Sequence, residues 1–178
     1  MLILLLGGAR SGKSALAVRL AAVGPAPTTL VATGEPLDEE MVERIARHRS
    51  ERPASWATVE EPLDIGAALG SAAAGGTVVI DCLTLWVANL LGRGRGDEEV
   101  IDEATKVATL AAERPGQVIA VSNEVGYGIV PGDPVSRRYR DLLGRVNSVF
   151  AEQAGDAFLV VAGRVIPLQP AAVQAPAL

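Results

Sequence analysis

The chain has 178 residues, 49% of them hydrophobic and 21% charged, with a formal net charge of −5, one cysteine and one histidine. These values fit one globular domain with a substantial core and argue against an internal disulfide, a zinc site built from Cys and His, and the basic face that nucleic acid requires. The apolar runs are too short to span a membrane, and the amino terminus has neither a basic region nor a cleavage site, so the expected setting is the reducing cytoplasm, with no membrane span.

In chain order, Leu2–Leu6 reads as a buried strand, Gly7–Ser14 as a glycine-rich turn and Lys13–Ala22 as a helix. Thr29–Ala32 is a strand and Glu39–Ser50 a helix. Asp38 suits the N-cap of that helix, Glu39 and Glu40 suit its first turn, and Pro53 closes the region. Strand Thr58–Glu60, helix Leu63–Ala73, strand Thr77–Asp81 and helix Leu83–Leu91 follow. Gly92-Arg93-Gly94-Arg95-Gly96 reads as an exposed flexible loop before helix Glu98–Glu113. Strand Val118–Ser122, helix Pro134–Ala154 and strand Ala157–Ala162 complete the series. From Pro170 the chain is Ala/Pro-rich, so residues 170–178 are expected to be a disordered tail and 1–169 a single domain. The strands are continuous apolar runs, as expected when both faces are covered. Their alternation with helices predicts an α/β fold with a mainly parallel sheet, helices on both faces and ligands at the carboxyl ends of the strands.

Gly7-Gly8-Ala9-Arg10-Ser11-Gly12-Lys13-Ser14 matches G-x-x-x-x-G-K-[ST] in full, and it stands between a strand and a helix. Glycines let backbone N–H groups crowd around phosphate oxygens, and the helix start adds its unpaired N–H groups and dipole. This predicts a P-loop NTPase-like fold that binds a nucleoside triphosphate. Lys13 is expected to reach the β- and γ-phosphates and Ser14 to offer its hydroxyl to Mg²⁺. Val78-Val79-Ile80-Asp81 ends an apolar strand in a carboxylate, the pattern of a second Mg²⁺ partner, direct or through water; a strand-end turn residue is the other reading. A signalling GTPase would need a base-reading N-K-x-D motif, which is absent. The nearest D-x-x-G, Asp141-Leu142-Leu143-Gly144, lies in a helical pattern. A small-molecule kinase is the default.

His48 stands among Arg44, Arg47, Arg49 and Arg52, and shares a helix face with Met41 and Ile45. Position alone favours a half-buried core histidine. The surrounding guanidinium groups favour phosphate binding and a neutral imidazole, which is a competent nucleophile toward phosphorus.

With these residues in place, the chain resembles the bifunctional adenosylcobinamide kinase/adenosylcobinamide-phosphate guanylyltransferase family of cobalamin biosynthesis. The resemblance runs from residue 1 to about 169. It is carried by the P-loop; Ala32-Thr33-Gly34; Arg44-Ile45 through His48 to Arg52-Pro53; Trp56 to Glu60; Asp81 to Trp86 with Asn89-Leu90-Leu91; Ser122 to Gly126 with Gly128 to Pro131; Tyr139-Arg140-Asp141 with Gly144 and Asn147; and Leu159 to Gly163. The chain departs from the family pattern in its longer spacing between Gly163 and Pro167 and in Ser148, where Gln is frequent.

The resemblance implies two reactions: phosphorylation of the hydroxyl of adenosylcobinamide with ATP or GTP, then transfer of GMP from GTP to that phosphate through a guanylylated histidine, here His48. It implies nucleotide contacts at Thr33, Gly34 and Glu35, at Arg49, Ser50, Glu51 and Arg52, at Glu60 and at Asp81, and a homotrimer. Glu60 could take a guanine edge or a ribose hydroxyl, or be an ordinary solvated carboxylate. Asn123 and Glu124 are either active-site loop residues or a turn before Gly126. Trp56 and Trp86 are expected in the core. The rival readings are a P-loop kinase of another small-molecule alcohol without guanylyltransferase activity, and a non-catalytic nucleotide-binding regulator.

Overall fold

The computed structural model describes residues 1–36, 39–50 and 53–170, without the side chains of Glu40, Arg44, Ile45, Arg47, His48 and Ser50. The elements are β1 (Leu2–Gly7), α1 (Lys13–Val23), β2 (Thr28–Ala32), α2 (Glu39–Ser50), β3 (Ala57–Glu60), α3 (Ile65–Ser71), β4 (Thr77–Asp81), α4 (Leu83–Gly92), α5 (Asp97–Glu113), β5 (Gln117–Val121), α6 (Pro134–Gln153), β6 (Asp156–Val161) and β7 (Arg164–Pro167). The strands form one sheet in the order β3-β2-β4-β5-β1-β6-β7. Every pairing is parallel except β6–β7, which is antiparallel. The expected α/β architecture, a mainly parallel sheet covered on both faces, is therefore present.

The period-two alternation of strands splits the apolar residues between two cores. Leu2, Leu4, Leu6, Val78, Ile80, Val118 and Ala120 face one cluster, built with α3, α4, α5 and α6. Ile3, Leu5, Leu30, Val79, Ile119 and Val121 face the other, where Ala17 and Ala21 of α1 pack. Trp86 is fully buried in the first cluster and its indole N–H donates to Leu63 O at 2.7 Å, so it is a core residue. Trp56 packs, half-buried, against the second. Among the described residues no helix is long and apolar enough to cross a membrane.

The differences from the expected elements have local causes. The helix α3 starts at Ile65 rather than Leu63, because Asp64 takes the N-cap and accepts from Ala67 N at 2.8 Å. The helix α5 opens one residue earlier than expected, with Glu99 reaching back to Gly96 N at 2.7 Å. Asp141–Gly144 lies inside α6, with Leu142 and Leu143 buried, so it is helix and not a switch. The strand β7 was not expected. Ala162 and Gly163, at φ 50 and 73, make a two-residue turn that sends the chain back along β6. Asp38 and residues 171–178 lie outside the described residues.

Candidate active site

The strand ends assemble the site. Register aligns Glu60, Ala32, Asp81, Val121 and Leu5 in one row across β3, β2, β4, β5 and β1. The segments that follow this row leave from one carboxyl edge: the P-loop, Thr33–Glu35, Asp81-Cys82 and Asn123-Glu124. Parallel α/β sheets place ligands at that edge.

Gly7–Ser14 links β1 to α1. An added Cβ at Gly7 would overlap the Val160 carbonyl oxygen, so glycine lets β1 close against β6 here. Gly12, at φ 103, opens α1. Lys13 is buried, and its ammonium donates to Gly7 O at 2.8 Å and Gly8 O at 2.6 Å, which places a positive charge within the curve of the loop. Gly8, Ala9 and Arg10 are exposed, and Ser11, Gly12 and Ser14 are half-buried. Two outside donors brace the loop: Glu124 N–H to Gly7 O at 3.1 Å, and Gly163 N–H to Ser11 O at 2.8 Å. The turn that starts the unexpected β7 thus supports the P-loop.

Asp81 ends β4 and is half-buried. The strand β5 lies between β4 and β1, so Asp81 is two strand spacings, about 10 Å, from the P-loop strand.

Thr33 is fully buried. Its hydroxyl donates to Cys82 O at 2.7 Å and accepts from Cys82 N–H at 2.8 Å. Its N–H donates to Asp81 O, and its carbonyl accepts from Asn89 Nδ2 at 2.7 Å. All its polar groups are therefore hydrogen-bonded within the fold; Gly34 and Glu35 are half-buried. Glu35 pairs with Arg93 at 2.7 Å. Arg49 of α2 forms an exposed ion pair with Glu60 of β3. His48 immediately precedes Arg49. Its side chain and that of Ser50, with Glu51 and Arg52, lie outside the described residues.

Some residues of this edge were not singled out from the sequence for a role. Asn89 Nδ2 also donates to Pro62 O at 3.1 Å and so ties the segments after β2 and β3 together. Behind β5, Ser122 donates to Asn147 Oδ1 at 2.6 Å, Asn147 Nδ2 donates to Asn123 O at 3.0 Å, and Asn123 N–H donates to Thr84 Oγ1 at 2.8 Å. This buried chain sets the course of Asn123-Glu124. The signal was present: Asn147 is a polar residue on the face that α6 buries through Leu143, Val146 and Phe150. Glu124 accepts from Gly126 N at 2.6 Å, so its carboxylate is used in its own turn.

Burial pushes the Cys82 thiol up, and the neighbouring Asp81 charge adds to the shift. Burial also raises the Tyr139 phenol, whose hydroxyl donates to Thr84 O.

A family model described as cobinamide kinase / cobinamide phosphate guanyltransferase matches residues 3–168. The bifunctional adenosylcobalamin biosynthesis protein CobP of Pseudomonas aeruginosa is 46% identical over 172 residues, covering 93% of this chain and 96% of its own. The bifunctional adenosylcobalamin biosynthesis proteins CobU of Salmonella typhimurium and Escherichia coli are each 39% identical over 177 residues, covering 92% of this chain and 97% of theirs. With a match that spans the P-loop and every strand end described above, this chain belongs to the cobinamide kinase / cobinamide phosphate guanyltransferase family.

Proposed function

We propose that this chain phosphorylates the free hydroxyl of adenosylcobinamide and then converts the product to adenosylcobinamide-GDP. In the first step the hydroxyl oxygen attacks the γ-phosphorus of ATP or GTP and the nucleoside diphosphate leaves. In the second, the His48 imidazole attacks the α-phosphorus of GTP and pyrophosphate leaves. The adenosylcobinamide phosphate oxygen then attacks the same phosphorus and releases His48. Splitting a reaction between two anions into two displacements is the reason for a covalent intermediate.

The kinase half rests on the loop Gly7–Ser14, with Lys13 stabilising charge on the β- and γ-phosphates and the loop N–H groups of Gly8 to Ser14 cradling them. Ser14 and Asp81 fit Mg²⁺: a hydroxyl and a carboxylate are hard oxygen donors, few enough to leave room for phosphate and water oxygens. When bound, Mg²⁺ supplies charge neutralisation at the phosphates. The guanylyl half rests on the family match, whose description names the guanyltransferase activity, the observation that carries the reading; the Arg49–Glu60 contact puts the end of α2 near the end of β3. Gly34, Glu35, Arg49, Ser50, Glu51, Arg52 and Glu60 are the proposed GTP contacts there. Thr33, which also holds Asp81 and Cys82, is proposed as a further GTP contact. We assign the work to one domain, residues 1–169, in a cytoplasmic homotrimer. The family description names both activities, which neither the kinase-only reading nor the regulator reading would require.

The test is incubation with GTP labelled at the α-phosphate. The protein should take up label through a phosphorus–nitrogen bond, lost in acid and retained in alkali. His48→Asn should abolish labelling and guanylyl transfer while sparing part of the kinase step. A His48→Asn protein that forms adenosylcobinamide-GDP at the unmodified rate would sink the covalent mechanism.

A further inference from the structure

The segment between β5 and α6 is anchored at both ends and apolar at its apex. At its start, Val125 packs on the core, the Ser122–Asn147–Asn123 hydrogen bonds hold the backbone, and Glu124 N–H sits on Gly7 O. At its end, the Arg137 guanidinium donates to Pro131 O at 2.9 Å and Gly132 O at 2.7 Å, and Asp133 caps α6 by accepting from Ser136 N at 2.8 Å. Between these anchors, Tyr127 is 83% exposed, Ile129 97% and Val130 61%. Single exposed apolar side chains need no explanation, but a cluster held in place by a tethered backbone does.

Its position says what the cluster meets. Gly7 O, which receives Glu124 N–H, also receives the Lys13 ammonium. Tyr127 is three residues beyond Glu124, so their Cα atoms are at most about 11 Å apart. The apolar apex therefore springs from the segment that touches the first residue of the P-loop. An acceptor whose reactive hydroxyl ends a short arm on a large macrocycle must rest its body beside the phosphate cradle. The cradle offers backbone N–H groups and charge; a macrocycle with methyl-bearing edges needs apolar surface and peptide groups for its amide side arms. Gly128 and Gly132 have open space where a Cβ would stand, which leaves the peptide backbone of the apex accessible.

We propose that Tyr127, Ile129 and Val130 form the platform that binds the corrin ring of adenosylcobinamide while its aminopropanol arm reaches the P-loop. This deepens the kinase reading above and rests on it.

The experiment compares the unmodified protein with Tyr127→Ala/Ile129→Ser, and with Val23→Ser as a control on a distant residue that is 84% exposed. Three quantities are read: KM for adenosylcobinamide and for nucleotide, uptake of α-labelled GTP without corrin, and equilibrium dialysis of adenosylcobinamide followed by its visible absorbance. The double variant should raise the adenosylcobinamide KM and dissociation constant by about tenfold or more, in line with two lost apolar contacts. Nucleotide KM, labelling and the thermal transition should stay at unmodified values, and Val23→Ser should change nothing. An unchanged corrin affinity would overturn the platform. So would a parallel rise in nucleotide KM, which would place the effect in the P-loop, or a change in oligomeric state by light scattering, which would make the apex a contact between copies. If the unmodified protein neither labels nor phosphorylates the corrin, the kinase/guanylyltransferase reading fails first and the platform falls with it.

Discussion

The Thr33 hydroxyl holds both backbone groups of Cys82, donating to its carbonyl at 2.7 Å and accepting its N–H at 2.8 Å. The two residues are 49 positions apart, and the contact locks the end of β2 to the turn that follows Asp81. Thr33→Val keeps the shape and removes both bonds. It should cost about 2 kcal/mol, the scale of leaving buried backbone groups unpaired. A chain of this size should then melt roughly 4–8 °C lower. Thr33→Ser should recover most of the loss. Calorimetry showing no drop for the Val variant would remove the clamp.

Lys13→Ala should leave the secondary structure intact by circular dichroism and lower kinase turnover on the order of 10²-fold or more, the scale of losing one preorganised charge contact. Near-normal turnover in the folded variant would contradict the P-loop assignment.

Two neighbouring glycines should respond differently to the same change. A Cβ at Gly7 would meet the Val160 carbonyl oxygen, whereas one at Gly8 meets nothing within 4 Å. Gly7→Ala should destabilise by about 1–3 kcal/mol through backbone strain. Gly8→Ala should fold normally, because its methyl group would meet nothing within 4 Å. Urea titration separates the two, and equal midpoints would refute the contrast.

Stability should fall on the alkaline side. The folded-state pKa of Cys82 is raised above its ordinary value of 9.0, by burial first and then by Asp81, and Tyr139 is raised by burial first and then by the Cys82 charge. Above the unfolded pKa the unfolded chain has released protons that the folded chain still holds, so raising the pH favours unfolding. The contribution is fully present below pH 9 and is lost as pH rises through the folded values. Urea midpoints that stay constant from pH 8 to 10.5 would contradict this. At neutral pH the native thiol should react with a disulfide reagent more slowly than the urea-unfolded chain, because little thiolate forms.

Much of this protein is legible in its amino-acid order. The strand–P-loop–helix unit, the α/β alternation and the polar residue on the buried face of α6 are local patterns, set by side-chain periodicity and by the backbone freedom of a few glycines. Gly7–Ser14 needs no distant residue to be recognised. Tertiary structure alone decided the rest. The strand β5 inserts between β1 and β4 and sets Asp81 back from the P-loop. The Thr33 hydroxyl bonds Cys82, 49 positions away in the chain. Arg49 meets Glu60 across the edge of the sheet. The chain after Gly163 returns as β7, and its turn braces Ser11. Each of these depends on strand order and register, which arise from pairing between segments far apart in the chain and from the need to satisfy every buried backbone group. No local pattern encodes which distant partner will do so.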